Sequence, residues 1–314
     1  ITPNGSCRKD SKRKTIKVER KFLVPIVTPF KDEETVDYRA LQKLVRKVLN
    51  DGADGIYAGG SSAECFFLNE SERKKVLEAV IEAAEGAFVA AHIGAIGTCN
   101  SISLAKHAQR AGANAVSSVP PFYFSYTFGE IKNYYLDIVK SVDIPMMIYN
   151  IPSNTRTSFT LGEFLELMAC DGVEYLKFTD DNFYLLEQIK SHCGKTVYSG
   201  KDEDFLSALA AGADGAIGTS FNFMLDKFIR IRELYDAGRV QEARAVQHSA
   251  NEVITAVCEC GLLEATKYML ALQGIEAGHA RKPFACLTEE KKRRLRAVAE
   301  KEGLLNALPM GRAL

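Results

Sequence analysis

The chain has 314 residues, 46% of them hydrophobic and 25% charged, and its 40 basic residues balance its 40 acidic ones. That composition supplies apolar material for a large core, which excludes disorder as the default, and zero net charge argues against a generally basic nucleic-acid binder. No apolar run approaches the ~20 residues a membrane helix requires and no signal-peptide core opens the chain, so a cytoplasmic protein acting on a small molecule, with no nucleic-acid or membrane partner, is expected.

In chain order, residues 1–21 carry eight Lys or Arg against two acids and read as a flexible basic extension. An organellar presequence is the other reading, which the acids disfavour. From Phe22 onward, short apolar runs of strand length alternate with stretches of helical spacing. Strands are expected over 23–28, 55–59, 88–94, 115–119, 146–151, 175–179, 196–200 and 215–218. Helices are expected in the gaps, among them 38–50, 71–84, 101–111, 128–140 and 183–191. Three helix-to-strand connections repeat one phrase: Asp51-Gly52-Ala53-Asp54-Gly55, Ala111-Gly112-Ala113-Asn114-Ala115 and Ala211-Gly212-Ala213-Asp214-Gly215. Each first Gly falls where a helix would end in the left-handed conformation. Eight such units with right-handed crossovers close into an α/β (β/α)₈ TIM barrel over 22–223. A doubly wound open sheet is the runner-up, but the Gly-rich dinucleotide loop after its first strand is absent. Beyond Met224 the strand signal stops. Three helices reaching about Lys301, interrupted by a turn over 274–283, form a C-terminal helical appendage over 224–314.

The eight cysteines (Cys7, Cys65, Cys99, Cys170, Cys193, Cys258, Cys260 and Cys286) are scattered and read as reduced thiols. The one close pair, Cys258 and Cys260, is C-x-C on an expected helix, and no second pair completes a zinc site, so no metal is expected.

In this fold the chemistry sits at the C-terminal ends of the strands. Lys177, within Val173-Glu174-Tyr175-Leu176-Lys177-Phe178, lies inside a barrel strand, where a charged ammonium costs several kcal/mol unless it is paired or deprotonated. A neutral amine attacks carbonyls, so a buried lysine at a barrel mouth is a candidate Schiff-base nucleophile; an internal salt bridge to Asp or Glu explains its position equally well. Gly59-Gly60-Ser61-Ser62 offers backbone N–H groups and two hydroxyls suited to a carboxylate, or else is a capped turn before a helix that begins near Asn69. Tyr149 is a proton shuttle or a core tyrosine.

Taken together, Gly59-Gly60-Ser61-Ser62 with Glu64, Tyr149-Asn150-Ile151-Pro152, Lys177 followed by Thr179, and the stretch from Gly200 through Gly218-Thr219-Ser220-Phe221-Asn222 resemble the N-acetylneuraminate lyase and dihydrodipicolinate synthase family. The resemblance covers about 22–305. It implies a class I aldolase in which Lys177 forms an imine with pyruvate or its parent keto acid, without metal or other cofactor. It further implies that Tyr149 is the acid/base, that Ser61 relays the proton and holds the carboxylate alongside Ser62, and that Tyr123 reaches into a neighbouring subunit's site. The family is typically a homotetramer, a dimer of dimers.

The branches differ in what stands opposite the keto acid. In the synthase branch an arginine five residues after the strand-five tyrosine binds the second substrate's carboxylate; here that position is Asn154, with Arg156 two residues further on. The chain resembles the lyase branch at Thr179, Gly200, Asp202, Glu203 and Thr219, where carboxylates accept hydrogen bonds from a sugar's hydroxyls. In isolation, Asp202-Glu203-Asp204 would read as a solvated helix start. Ala63, where the family usually has Gly, and Thr219, where Ser is common, are the departures. Cleavage of N-acetylneuraminate to pyruvate and N-acetylmannosamine is therefore expected. A dihydrodipicolinate synthase, another 2-keto-3-deoxy sugar acid aldolase and a non-enzymatic keto-acid sensor are the alternatives.

Overall fold

The computed structural model describes residues 21–305, so the basic extension and Cys7 lie outside the described residues. Eight parallel strands follow one another round a barrel in chain order. They are β1 (Leu23–Pro25), β2 (Gly55–Ala58), β3 (Phe88–His92), β4 (Ala115–Ser118), β5 (Met146–Asn150), β6 (Val173–Phe178), β7 (Thr196–Ser199) and β8 (Gly215–Ala216). A parallel bridge between Phe22 and Ala216 joins the last strand to the first, with the Ala216 N–H donating to the Lys21 carbonyl at 2.8 Å. The Lys21 and Phe22 N–H groups also donate to the Asp54 carboxylate, each at 2.9 Å, so Lys21 belongs to the barrel rather than to the extension in which the sequence placed it.

The intervening helices are α1 (Tyr38–Asn50), α2 (Glu70–Ala84), α3 (Thr98–Ala111), α4 (Phe128–Lys140), α5 (Pro152–Thr155), α6 (Leu161–Met168), α7 (Phe183–Cys193), α8 (Phe205–Ala210) and α9 (Phe221–Asp236). The repeated connections behave as their glycines require: Gly52, Gly112 and Gly212 have φ of +102°, +100° and +91°. At each, a side chain would be strained, so the helix stops and the next strand begins in register.

The expected strands overshoot at their C-terminal ends, because there the chain leaves the ladder to build the barrel mouth. Gly59, for example, turns out of β2 with φ +69°. The expected division at 223/224 falls inside α9, which packs against α1, α8 and β1 and is thus the barrel's eighth helix. The three helices of the appendage are α10 (Val240–Cys260), α11 (Leu262–Leu272) and α12 (Glu289–Lys301). Cys258 is exposed on α10 while Cys260 is buried, and both are free thiols.

Strand alternation divides the core into two layers. Ile56, Ile148, Leu176 and Phe178 face outward under the helices. Leu23, Tyr57, Phe88, Met147, Tyr149, Tyr175, Tyr198 and Ile217 fill the barrel interior. The inward set is rich in aromatic rings, and the space above them is the cavity described next.

Candidate active site

The same alternation points Lys177 into the barrel. In the parallel register it stands opposite Tyr149 on β5 and Tyr198 on β7. Lys177 is 5% exposed, and its Nζ lies 4.1 Å from the Tyr149 ring centroid and 4.7 Å from that of Tyr57. Among the described residues it forms no ion pair, so the internal salt bridge is excluded as the reason for its position. What remains is an amine surrounded by π faces, desolvated and with no carboxylate committed to it.

Next to it, the chain leaving β2 makes a short 3-10 turn, Ser61–Ala63. Gly60 is required there, since a Cβ would fall 2.6 Å from Tyr57 Cε1. The turn is pinned on several sides. His92 Nδ1 lies 3.0 Å from the Gly59 carbonyl, the Thr28 hydroxyl donates to the Ala63 carbonyl at 2.8 Å, and the Ser62 and Thr219 hydroxyls are 2.7 Å apart. Ala63 is accommodated fully buried. Helix α2 has its own cap at Asn69, where a reciprocal bond with Glu72 completes a capping box. The serine turn thus precedes a helix that starts where the sequence placed it and that is capped separately.

Across the mouth, the Thr179 hydroxyl is buried without a hydrogen-bond partner among the described residues. Gly200 makes room for it: a Cβ there would lie 1.8 Å from Thr179 Oγ1 and 3.1 Å from Lys177 Cε. Asp202 is buried, and its Oδ2 accepts the Ser220 N–H at 2.7 Å and the Ser220 hydroxyl. Burial pushes its carboxyl up to about 6, against the hydrogen bonds from Ser220. Gly218 is small for the same reason as Gly200, since a Cβ would sit 2.4 Å from Asp202 Oδ1. Glu203 is more open, 3.7 Å from Lys201 Nζ.

Lys177, Tyr149, Ser61, Ser62, Thr179, Gly200, Asp202, Glu203 and Thr219 all line one cavity of about 740 Å³, together with Asn154. Its outer wall comes from the appendage, through Val257, Leu262 and Phe284. The exception is Tyr123: it is 83% exposed, has φ +85°, stacks edge-to-face on Phe124, and lines a separate groove with Arg156.

Two residues at the site are missing from the sequence reading. Tyr57 lies beneath the amine, and burial together with Tyr149 lifts its phenol well above the usual range, while its hydroxyl is 2.9 Å from Ser117 Oγ. Its inward position in β2 was legible from alternation. His92, stacked on both Tyr57 and Tyr149, is held well below the ordinary imidazole value by burial, with Arg73 and Lys177 adding to the effect. It is thus a neutral donor to Gly59. Among the described residues, Glu264, His279 and Cys286 bring three metal-competent atoms within 4.8 Å of one another. Glu264 accepts from His279 Nδ1 and from the Ala280 N–H, which clasps α11 to the following loop.

Fold and cavity define a (β/α)₈ barrel with a buried lysine facing the cavity at the C-terminal ends of its strands. Residues 19–302 match the Dihydrodipicolinate synthetase family, and the chain belongs to that family of class I aldolases. It is 36% identical over 266 residues to an N-acetylneuraminate lyase of Rhizobium meliloti, covering 84% of this chain and 89% of the relative. It is equally identical over 285 residues to the N-acetylneuraminate lyase of Escherichia coli K12, covering 90% and 96%. The structure of CdNal from Clostridium difficile in complex with mannosamine superposes with a TM-score of 0.88 at 34% identity, over 90% of this chain and 99% of that one. A dihydrodipicolinate synthase from Bacillus anthracis shares the fold, with a TM-score of 0.87 at 23% identity. No helix among the described residues is long and apolar enough to cross a membrane.

Proposed function

We propose that the protein is a Schiff-base aldolase that reversibly cleaves N-acetylneuraminate to pyruvate and N-acetylmannosamine. The observation that carries this reading is the unpaired, buried Lys177 at the floor of a cavity lined by both hydroxyls and carboxylates.

The open-chain keto acid enters with its carboxylate against Ser61 and Ser62. The Lys177 amine attacks the C2 carbonyl, water leaves, and a protonated imine forms. Tyr149, whose ring lies against the amine, takes the proton from the C4 hydroxyl, with Ser61 relaying it. The C3–C4 bond then breaks and its electron pair passes into the imine, giving an enamine and releasing the aldehyde sugar. Protonation at C3 and hydrolysis return pyruvate and free Lys177. The imine supplies the electron sink, so the sequence of steps calls for no metal or prosthetic group. Asp202, Glu203, Thr179 and Thr219 face the hydroxylated half of the substrate, and the identity to two N-acetylneuraminate lyases favours that sugar acid. Tyr123 projects away from its own cavity, as a residue completing a second copy's site would, which fits a homotetramer.

The test is to incubate the protein with N-acetylneuraminate and measure released pyruvate, alongside pyruvate trapping by borohydride. A reduced keto-acid mass is expected on the peptide containing Lys177. Undiminished trapping in Lys177→Ala would remove the nucleophile assignment; trapping without sugar cleavage would leave a sensor.

A further inference from the structure

The Ser61–Ser62 turn is fixed by a charged joint whose second half comes from the appendage. Glu64 ends the turn in the left-handed conformation, φ +56°, and is 2% exposed. Its Oε1 lies 2.7 Å from Nζ of Lys267 on α11, whose side chain is 1% exposed, and its Oε2 accepts the Arg281 N–H at 2.8 Å. Lys267 donates to the His279 carbonyl at 2.9 Å and lies 4.2 Å from the Phe30 ring centroid. Arg281 then reaches back to the carbonyls of Glu34 and Phe67 and to the Glu72 carboxylate. Gly278 lets this loop close down, since a Cβ there would fall 1.8 Å from the Phe30 carbonyl oxygen.

A buried ion pair is a poor way merely to attach a helix, because well-packed apolar residues of similar volume hold as well or better. What charge and hydrogen bonding add is direction: they fix both Glu64 oxygens, hence the backbone of a residue in a strained conformation, hence the serines just before it. We propose that Glu64 and Lys267 are positioning residues, and that this pair sets the Ser61–Ser62 turn for the keto acid's carboxylate. Lys267 thus governs keto-acid affinity through the turn and not by contact. This rests on the assignment of that turn to the carboxylate.

The variants are Glu64→Gln, Lys267→Met and their combination, which leaves no unpaired charge buried and so guards against simple unfolding. The readout is borohydride trapping on Lys177 with pyruvate and with hydroxyacetone, a carbonyl compound without a carboxylate. In the double variant, half-maximal trapping is expected to need about tenfold more pyruvate, the equivalent of removing one charge-assisted hydrogen bond to the carboxylate, with hydroxyacetone trapping unchanged. Equal loss with both compounds, or wild-type pyruvate affinity, overturns the positioning role. Failure of the wild-type protein to trap pyruvate at all would instead overturn the aldolase reading beneath it.

Discussion

Tyr149 and Lys177 are register partners on adjacent parallel strands, and the lysine amine lies 4.1 Å from the centre of the tyrosine ring. In the proposed mechanism the ring shapes the place where the imine forms while its hydroxyl carries the proton, and two substitutions separate these parts. Tyr149→Phe keeps the ring, so pyruvate trapping should persist while kcat for cleavage falls about 10²-fold or more. Tyr149→Ala should lose both, because it also opens the floor beneath the amine. Near-normal turnover in the Phe variant, with an unchanged melting transition, would exclude the phenol as proton carrier.

Gly200 lines the cavity and has no room for a side chain. Gly200→Ala drives a methyl into Thr179 Oγ1 and toward Lys177 Cε, so Thr179 must move and the lysine beside it must give by a few tenths of an ångström. Trapping should fall at least tenfold, the loss that ~1.4 kcal/mol of misplacement produces. Adding Thr179→Ala removes the hydroxyl that the methyl meets and should restore part of the trapping. Wild-type trapping in Gly200→Ala alone would mean that the floor of the site is more yielding than its contacts imply.

Asp202 gives a pH dependence whose sign is fixed by burial. Its folded-state value, about 6, stands above the unfolded 3.8, so the native form holds the proton more tightly. Its contribution to stability is therefore fully present below about pH 4 and lost as pH rises through 6, by at most about 3 kcal/mol. Compared with Asp202→Asn, the wild-type Tm should gain on acidification across that window. Activity should run the other way: a protonated Asp202 is a poorer acceptor for Ser220 and for sugar hydroxyls, so kcat/KM for N-acetylneuraminate should drop below pH 6. A parallel pH profile in Asp202→Asn would assign that limb to another group.

The barrel was legible because its signals are local. Apolar runs alternate with amphipathic stretches, and three glycines mark helix ends that the backbone does place at positive φ. Lys177 was legible too, as a charge in an apolar strand. Helix α9 was misdivided because its kink at Met224 coincides with the loss of strand signal, which says nothing about which layer a helix packs on. Glu64 with Lys267, and His92 with Gly59, were out of reach for a different reason. Each is defined by a partner distant in sequence, and neither residue type is unusual in its own segment.

Substrate choice is expected to turn on Asn154 and on the acids Asp202 and Glu203, all of which line the cavity. Asn154 lines the cavity and is neutral, while Arg156, at φ +56°, lines the outer groove with Tyr123 instead. Of the cations lining the cavity besides Lys177, Lys201 is paired with Asp181 and Glu203, and Lys291 donates to the Cys260 carbonyl. A second substrate bearing a carboxylate thus lacks a charge-assisted contact worth roughly 1.5 to 3 kcal/mol, and aspartate semialdehyde should be a poor acceptor for pyruvate. N-acetylmannosamine, uncharged and rich in hydroxyls, should be a good one, and Glu203→Gln should weaken its use without affecting pyruvate trapping. Asn154→Arg should shift the preference toward the semialdehyde. The comparison is kcat/KM for N-acetylneuraminate, for a 2-keto-3-deoxy sugar acid, and for pyruvate with aspartate semialdehyde. If the semialdehyde reaction is fastest in the wild-type protein, the lyase reading fails. A 2-keto-3-deoxy sugar acid in first place would keep Lys177 and Tyr149 in their roles and move the question to what Asp202 and Glu203 recognise.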